Sequence, residues 1–191
     1  EIYPLSLHDA LPIWPLARRG AGLSAGQDAF LRAIARKTWT FFETYVTAED
    51  HWLPPDNFQE FPAPVLAHRT SPTNMGLALL ANLAAFDFGF ISAGQLIERT
   101  ANALDTMQRL ERFRGHFYNW YDTLTLMPLH PSYVSSVDSG NLAMHLLILR
   151  QGLLALRADA EVPAGAEQLA QRAGELARME YDFLFDAERR L

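Results

Sequence analysis

Residues 74–80 read NMGLALL and residues 141–147 read NLAMHLL. Both open on Asn, carry a small residue two positions on and close on a Leu-Leu pair, and both follow a long polar loop rather than a short turn. Self-similarity of this kind marks a repeated supersecondary unit. Working outward, TSPTN places Ser71 as a cap and Pro72 in the first turn, where its missing N–H is not needed, so the first copy begins a helix that runs to about Phe88. Gly89 closes it and Ser92 caps the next helix, AGQLIERTANALDTMQRLERF, which continues to about Phe113 with Leu96, Leu104, Met107 and Leu110 as its inner stripe. Two helices joined by a short link form an antiparallel hairpin. The second copy follows SSVDSGN, which offers Asp138 or Ser139 as a cap, and its helix runs to about Leu156. Pro163 is placed to start a last helix through about Phe185.

Ahead of the first copy, residues 28–46 repeat Phe30, Leu31, Ile34, Trp39, Phe42 and Tyr45 at helical spacing, which predicts an amphipathic helix. Long polar loops alternating with short turns between helices fit an all-α fold, an α/α toroid whose inner helices present their loops to one central face. About five helices are predicted, against about twelve in six closed hairpins, so the chain is expected to be roughly the first half of such a barrel.

The chain has 191 residues, is 49% hydrophobic and carries a net charge of -6. That charge, without a basic run, argues against a nucleic-acid partner. No apolar run reaches the roughly 20 residues that cross a bilayer, so no direct membrane contact is expected of this segment. The chain has no cysteine, which removes disulfides, thiolate metal sites and cysteine nucleophiles. Lys37 is its only lysine, a bias that reads as GC-rich coding rather than chemistry. Neither HExxH, nor paired histidines at ligand spacing, nor a Gly-rich phosphate loop occurs, so neither metal nor cofactor is expected. The opening EIYPLSLHDALPI lacks the parts of a signal peptide and resembles the translation of a sequencing adapter. Residues 1–13 are therefore expected to be an artefact and 14–27 a linker, with the credible domain at 28–191.

Two loops carry the polar chemistry. In HFYNWYDTLTLMPL, residues 116–129, alternation predicts a short β-hairpin with Phe117, Asn119 and Tyr121 on one side and His116, Tyr118, Trp120 and Asp122 on the other. Aromatic rings flanked by Asn, Asp and His suit a sugar surface, and the same residues suit a plug for one end of a toroid. The loop WLPPDNFQEFPAPVLAHR supplies Trp52, Asp56, Asn57, Gln59, Glu60, His68 and Arg69. Asp56 and Glu60 are the candidate carboxylate pair, since glycoside chemistry uses two carboxyls about the scissile bond. Asp56 and Asn57 equally suit a turn that bonds its own backbone. Arg69 is placed to anchor a carboxylate from another loop. Asp138 and Ser139 suit capping, and His145, in an apolar helical stretch, reads as a core histidine.

Four segments in fixed order carry a resemblance: TWTFFETYVTAEDHWLPPDNFQEFPAPVLAHRTSPTNMGL, RLERFRGHFYNWYDTLTLMPL, YVSSVDSGNLA and EYDFLFDAERRL. Together they resemble the glucoamylase-like region of the cyclic β-1,2-glucan synthases, very large membrane-associated bacterial enzymes, and more distantly the endo-β-1,2-glucanases. The resemblance spans about Asp28 to Leu191. It implies a toroid that acts on β-1,2-glucan by transglycosylation, on the cytoplasmic side of the bacterial inner membrane, with the rest of its own polypeptide as partner. It also implies that the catalytic carboxylates lie beyond Leu191 and that the segment alone is inactive. Trp52, Asp56, Glu60, His68, Arg69, Asn119, Trp120, Tyr121, Asp122 and Asp138 become the expected substrate contacts along one wall of a cleft. The alternatives are a piece of an endo-β-1,2-glucanase or related hydrolase or phosphorylase, and a non-catalytic helical binding or scaffolding module.

Overall fold

The structure is a computed structural model that describes residues 22–156 and 165–184. The expected artefact at 1–13, most of the linker, Pro163 and the end of the fourth motif lie outside the described residues. The chain divides into two units, Glu1–Ala35 and Arg36–Leu191, and the helix α1 (Ala25–Tyr45) contributes to both. In the first unit Phe30, Leu31 and Ile34 are exposed; further along the predicted apolar stripe Trp39 is buried and Phe42 and Tyr45 are half-buried.

The second unit is built in layers from α2 (Pro72–Asp87), α3 (Ala93–Arg109), α4 (Ser136–Leu156) and α5 (Ala166–Leu176). Helices α2 and α4 carry apolar residues around most of their circumference and pack along one another, with Leu77 of α2 and Met144, Leu147 and Ile148 of α4 left exposed. Helices α3 and α5 are one-sided and pack on each other outside that pair, each against its own hairpin partner. An inner pair and an outer pair, linked as two hairpins, is the layering of an α/α toroid. Leu142, Leu146, Leu149 and Leu153 of α4 are fully buried, each contributing roughly 1.5–3 kcal/mol.

The starts of α2 and α3 follow from their caps. Ser71 accepts from the Asn74 N–H with Pro72 in the first turn, and Ser92 forms a complete capping box with Gln95. The predicted stripe of α3 is buried throughout, but the helix stops at Arg109 rather than Phe113, because Arg112–Phe113 (β4) turns back to pair with His116–Phe117 (β5). The expected hairpin at 116–129 is present in its second half, where Tyr121 bridges Pro128 across a turn closed by the Asp122 N–H on the Met127 carbonyl at 3.0 Å, while a further turn lies at Arg114–Gly115 and Tyr121–Asp122 (β6) also pairs with Arg69–Thr70 (β3) from the other long loop. Phe58–Gln59 (β1) and Val65–Leu66 (β2) form one more small hairpin, with Phe61 86% exposed at its turn.

Helix α4 begins earlier than expected. Ser135 is its cap, taking the Asp138 N–H on its hydroxyl at 3.2 Å, while Ser139 is buried and bonds His116. Helix α5 ends at Leu176, well short of Phe185. Beyond it the chain folds onto the β4–β5 turn, where the Glu180 N–H donates to the Arg114 carbonyl at 3.1 Å. Gly115 has φ +84°, and a Cβ there would sit 2.7 Å from the Arg178 carbonyl oxygen, so this turn requires glycine.

Where α2 crosses α4, a Cβ on Gly76 would meet His145 Nδ1 at 2.4 Å. His145 is buried there, and desolvation lowers its pKa. Gly76→Ala should therefore destabilise the fold by about 1–3 kcal/mol from overpacking, despite a helix-propensity gain of roughly 1 kcal/mol. Urea unfolding checks this, and a more stable variant would sink it.

Candidate glucan-binding surface

The two long loops, 46–71 and 110–135, meet at the N-termini of α2 and α4. Those termini lie side by side, because Thr73 Oγ1 donates to Asp138 Oδ1 at 2.7 Å and Asn141 Nδ2 donates to Thr73 Oγ1 at 3.2 Å. The inner helices therefore run parallel and open onto one face. Asn74 and Asn141, which begin the two sequence repeats, are the third residue of α2 and the sixth of α4, since α4 starts a turn earlier than the repeat suggests. The Asn74 amide donates to Asp56 Oδ1 at 3.3 Å, as the Asn141 amide does to Thr73.

Asp56 is the hub of the first cluster. Its Oδ2 accepts from Arg69 Nε at 3.2 Å, Arg69 Nη2 at 3.0 Å and Asn57 Nδ2 at 3.0 Å. Held this way, the Arg69 guanidinium lies 4.9 Å from the centroid of the Trp120 ring. Trp120 itself has φ +102°, a backbone state that a bulky residue holds only when its surroundings enforce it. A cavity of about 170 Å³ borders Asp56 and Asn74 and is lined by Phe41, Phe42, Pro54, Pro55 and Leu77. A larger hollow of about 540 Å³ draws its lining from α4, from α5 and from the residues that follow α5, and includes none of these loop residues.

The second long loop sorts its residues by depth. From Phe117 to Thr123 buried and half-buried positions alternate strictly, so Phe117, Asn119, Tyr121 and Thr123 go inward while Tyr118, Trp120 and Asp122 lie at intermediate depth. His116 breaks the predicted alternation and is also buried: Nε2 donates to the Glu180 carbonyl at 2.6 Å and Nδ1 lies 2.8 Å from Ser139 Oγ. Tyr121 is fully buried. Its hydroxyl donates to the Glu111 carbonyl at 2.6 Å and accepts the Tyr118 N–H at 2.8 Å, and burial pushes its pKa up. Asn119 is buried too, donating to Tyr133 Oη at 2.8 Å. These two expected contacts thus brace the loop from within.

Asp122 Oδ1 accepts from the N–H groups of Leu124 and Thr125, at 2.9 and 2.7 Å, and from the Thr125 hydroxyl at 3.0 Å, tying a tight turn. Desolvation pushes its carboxyl up, but these bonds together with the nearby His68 outweigh it and the net shift is downward. Asp138 is similarly occupied, by Thr73 and by Ser135 Oγ at 2.6 Å. Trp52 packs against the main core with Arg99 5.8 Å from its ring centroid. Glu60 is exposed at the β1–β2 turn. The structure thus gathers Asp56, Arg69 and Trp120 into one cluster and places Asp138 at the neighbouring helix terminus. Thr73, Asn74 and Asn141 join the surface and Asp50 lies buried beneath it, none of them singled out by residue type, although the repeated Asn was the visible signal for two of them.

Among the described residues, no group of three or more His, Asp or Glu is placed to hold a metal ion, and no helix is long and apolar enough to cross a membrane. No family model matches the chain. Over 117 residues, 61% of its length, it is 56% identical to the cyclic β-(1,2)-glucan synthase NdvB of Rhizobium meliloti. The chain is a sequence relative of that synthase. It spans only 4% of the synthase's length. Among solved structures, a glucoamylase-like protein from Bacteroides fragilis superposes with a TM-score of 0.63 at 22% identity, over 82% of this chain and 37% of that one. The endo-β-1,2-glucanase of Chitinophaga pinensis, in complex with sophorotriose and glucose, superposes with a TM-score of 0.61 at 20% identity, over 81% and 36% of the two chains. The β-1,2-glucanase of Parabacteroides distasonis gives 0.60 at 17% identity, over 78% and 20%. The fold is shared with these glucoamylase-like enzymes.

Proposed function

We propose that residues 28–191 form part of a glucoamylase-like toroid that binds a β-1,2-glucan chain, within an enzyme that synthesises or cyclises that glucan by transglycosylation. The observation that carries this reading is the Arg69–Trp120 stack, anchored by Asp56 at the paired N-termini of two inner helices, in a relative of a cyclic β-(1,2)-glucan synthase. An indole face suits the C–H surface of a pyranose, and the guanidinium and amide groups around it suit hydroxyls. The carboxylates of Asp56, Asp122 and Asp138 are engaged by intramolecular donors, which suits positioning better than proton transfer. In this reading the catalytic carboxylates come from the rest of a larger, membrane-associated polypeptide acting at the cytoplasmic face of the inner membrane. Residues 1–13 are then an artefact, and the last three residues of the expected linker at 14–27 belong to α1.

A second reading, hydrolysis by an endo-β-1,2-glucanase, draws support from the fold likeness to two such glucanases. Product analysis separates the two, since a transglycosylase returns rings or longer chains and a hydrolase only shorter ones.

The surface itself is tested by titrating the chain with linear β-1,2-gluco-oligosaccharides in a calorimeter, with β-1,4-linked oligomers of the same length as control. Trp120→Ala should weaken binding of the β-1,2 series at least about tenfold, roughly 1.4 kcal/mol, with little change in melting temperature. Equal binding of both linkages, or a Trp120→Ala effect confined to melting temperature, would count against the reading.

A further inference from the structure

Asp50 is not among the expected substrate contacts, yet it is 2% exposed and carries two side-chain bonds on a single oxygen. Oδ1 accepts the Thr123 hydroxyl and lies 2.8 Å from His68 Nδ1. The His68 side chain, in contrast, is 33% exposed. A buried carboxylate thus grips the inner nitrogen of an imidazole that reaches the surface.

The grip is built from three chain segments. The turn that carries Asp50 holds His51 and Trp52 at φ +52° and +62°, two consecutive left-handed residues without glycine. It is closed by the Trp52 N–H on the Thr47 carbonyl at 2.8 Å and the Leu53 N–H on the Asp50 carbonyl at 2.9 Å. Helix α3 fixes it from behind, where Thr106 Oγ1 donates to the His51 carbonyl at 2.7 Å. From the third segment, Thr123 bonds Asp50 through its side chain, donates its N–H to the His68 carbonyl at 3.0 Å and offers its own carbonyl to His51 Nδ1 at 2.8 Å. Backbone held in sparsely populated states by so many ties is a mark of functional sites. His68 adjoins Arg69, and its carbonyl takes the Thr123 N–H, so the residue sits beside the turn that follows Trp120.

The chemistry of the pair is directional. A carboxylate only accepts hydrogen bonds, so Nδ1 carries the proton and the neutral ring has its lone pair on Nε2. Nε2 makes no hydrogen bond among the described residues. We infer that His68 Nε2 accepts a hydrogen bond from a hydroxyl of the bound glucan and that Asp50 is the positioning residue that fixes this tautomer. The inference rests on the proposed glucan-binding reading and adds to it a specific acceptor and its support. If the pair were merely structural, with His68 compensating the buried Asp50, the ring would not respond to sugar.

The test uses the chain labelled with ¹⁵N in histidine and in the Trp indoles, titrated with linear β-1,2-linked glucotriose. In the free chain, above the titration range of an ordinary histidine, the His68 signals should report a protonated Nδ1 and a bare Nε2. Glucotriose should move the Nε2 resonance toward the hydrogen-bonded range and perturb the Trp120 indole, leaving His116 unmoved. Asp50→Asn, whose amide can donate to Nδ1, should transfer the proton to Nε2 and weaken binding at least about tenfold. Because Asp50→Asn can also disturb folding, His68→Gln and His68→Ala form the second arm. Gln retains an acceptor near Nε2 and should bind several-fold more tightly than Ala, at matched melting temperatures. Glucotriose that perturbs Trp120 but leaves Nε2 unmoved, or Gln and Ala variants of equal affinity, would overturn the inference while the binding surface stands. No response at Trp120 or at His68 would overturn both.

Discussion

Arg69→Ala is expected to reduce affinity for linear β-1,2-gluco-oligosaccharides by about 10- to 100-fold, the largest binding effect of any single change on this surface. The magnitude follows from what the guanidinium holds. It makes two bonds to Asp56 Oδ2 and stacks on Trp120, so its removal strips the counter-charge from a carboxylate only 19% exposed and uncovers the indole that the β3–β6 pairing sets beside it. The free carboxylate then draws in water where a sugar face should lie. Arg69→Lys keeps the charge but loses the two-pronged geometry, and should fall between wild type and Ala. Because the Arg69 side chain is itself 51% exposed, its ion pair should contribute little to folding, so the melting temperature should barely move. Calorimetric titration of the three proteins decides the matter: affinities that agree within a factor of two would remove Arg69 from the surface.

Tyr121→Ala carries the largest expected cost in stability, about 3–5 kcal/mol. Tyr121 is fully buried, meets Phe117 edge-on at 6.5 Å and joins two separate backbone segments through one hydroxyl. Truncation leaves a cavity and orphans the Glu111 carbonyl and the Tyr118 N–H together. In a chain of this size each kcal/mol lowers the melting temperature by roughly 2–4 °C, so a fall on the order of 10 °C is expected. Tyr121→Phe preserves the packing and removes only the hydroxyl, at about 1–3 kcal/mol. Denaturant unfolding of both variants separates the terms. A Tyr121→Ala protein as stable as wild type would mean that the β6 strand is not the brace described here.

The helical layers were legible because their signals are local. Ser71 with Pro72, and Ser92 with Gln95, satisfy N–H groups three residues away, and the stripe on α3 repeats within one turn. The same locality explains the near misses at helix ends. Nothing within a few residues of Phe113 says that it will leave α3 to pair with His116, and nothing near Leu176 says that the chain will bend toward Gly115. In the candidate site, Trp120 and Arg69 were visible as residue types, but their contact spans two loops. Asp50 was invisible, since its partners His68 and Thr123 stand 18 and 73 positions away.

The sequence by itself determined the class of fold, the capped starts of α2 and α3 and the repeated Asn near the start of each inner helix, because capping and periodicity are written within a turn or two of chain. The tertiary structure alone decided which loop residues look outward. Pairing Tyr121–Asp122 with Arg69–Thr70, in addition to the bridge to Pro128 within its own loop, drives Tyr121 into the core and leaves Trp120 under Arg69. That choice rests on burying a tyrosine and saturating its hydroxyl at long range, which no window of sequence can weigh.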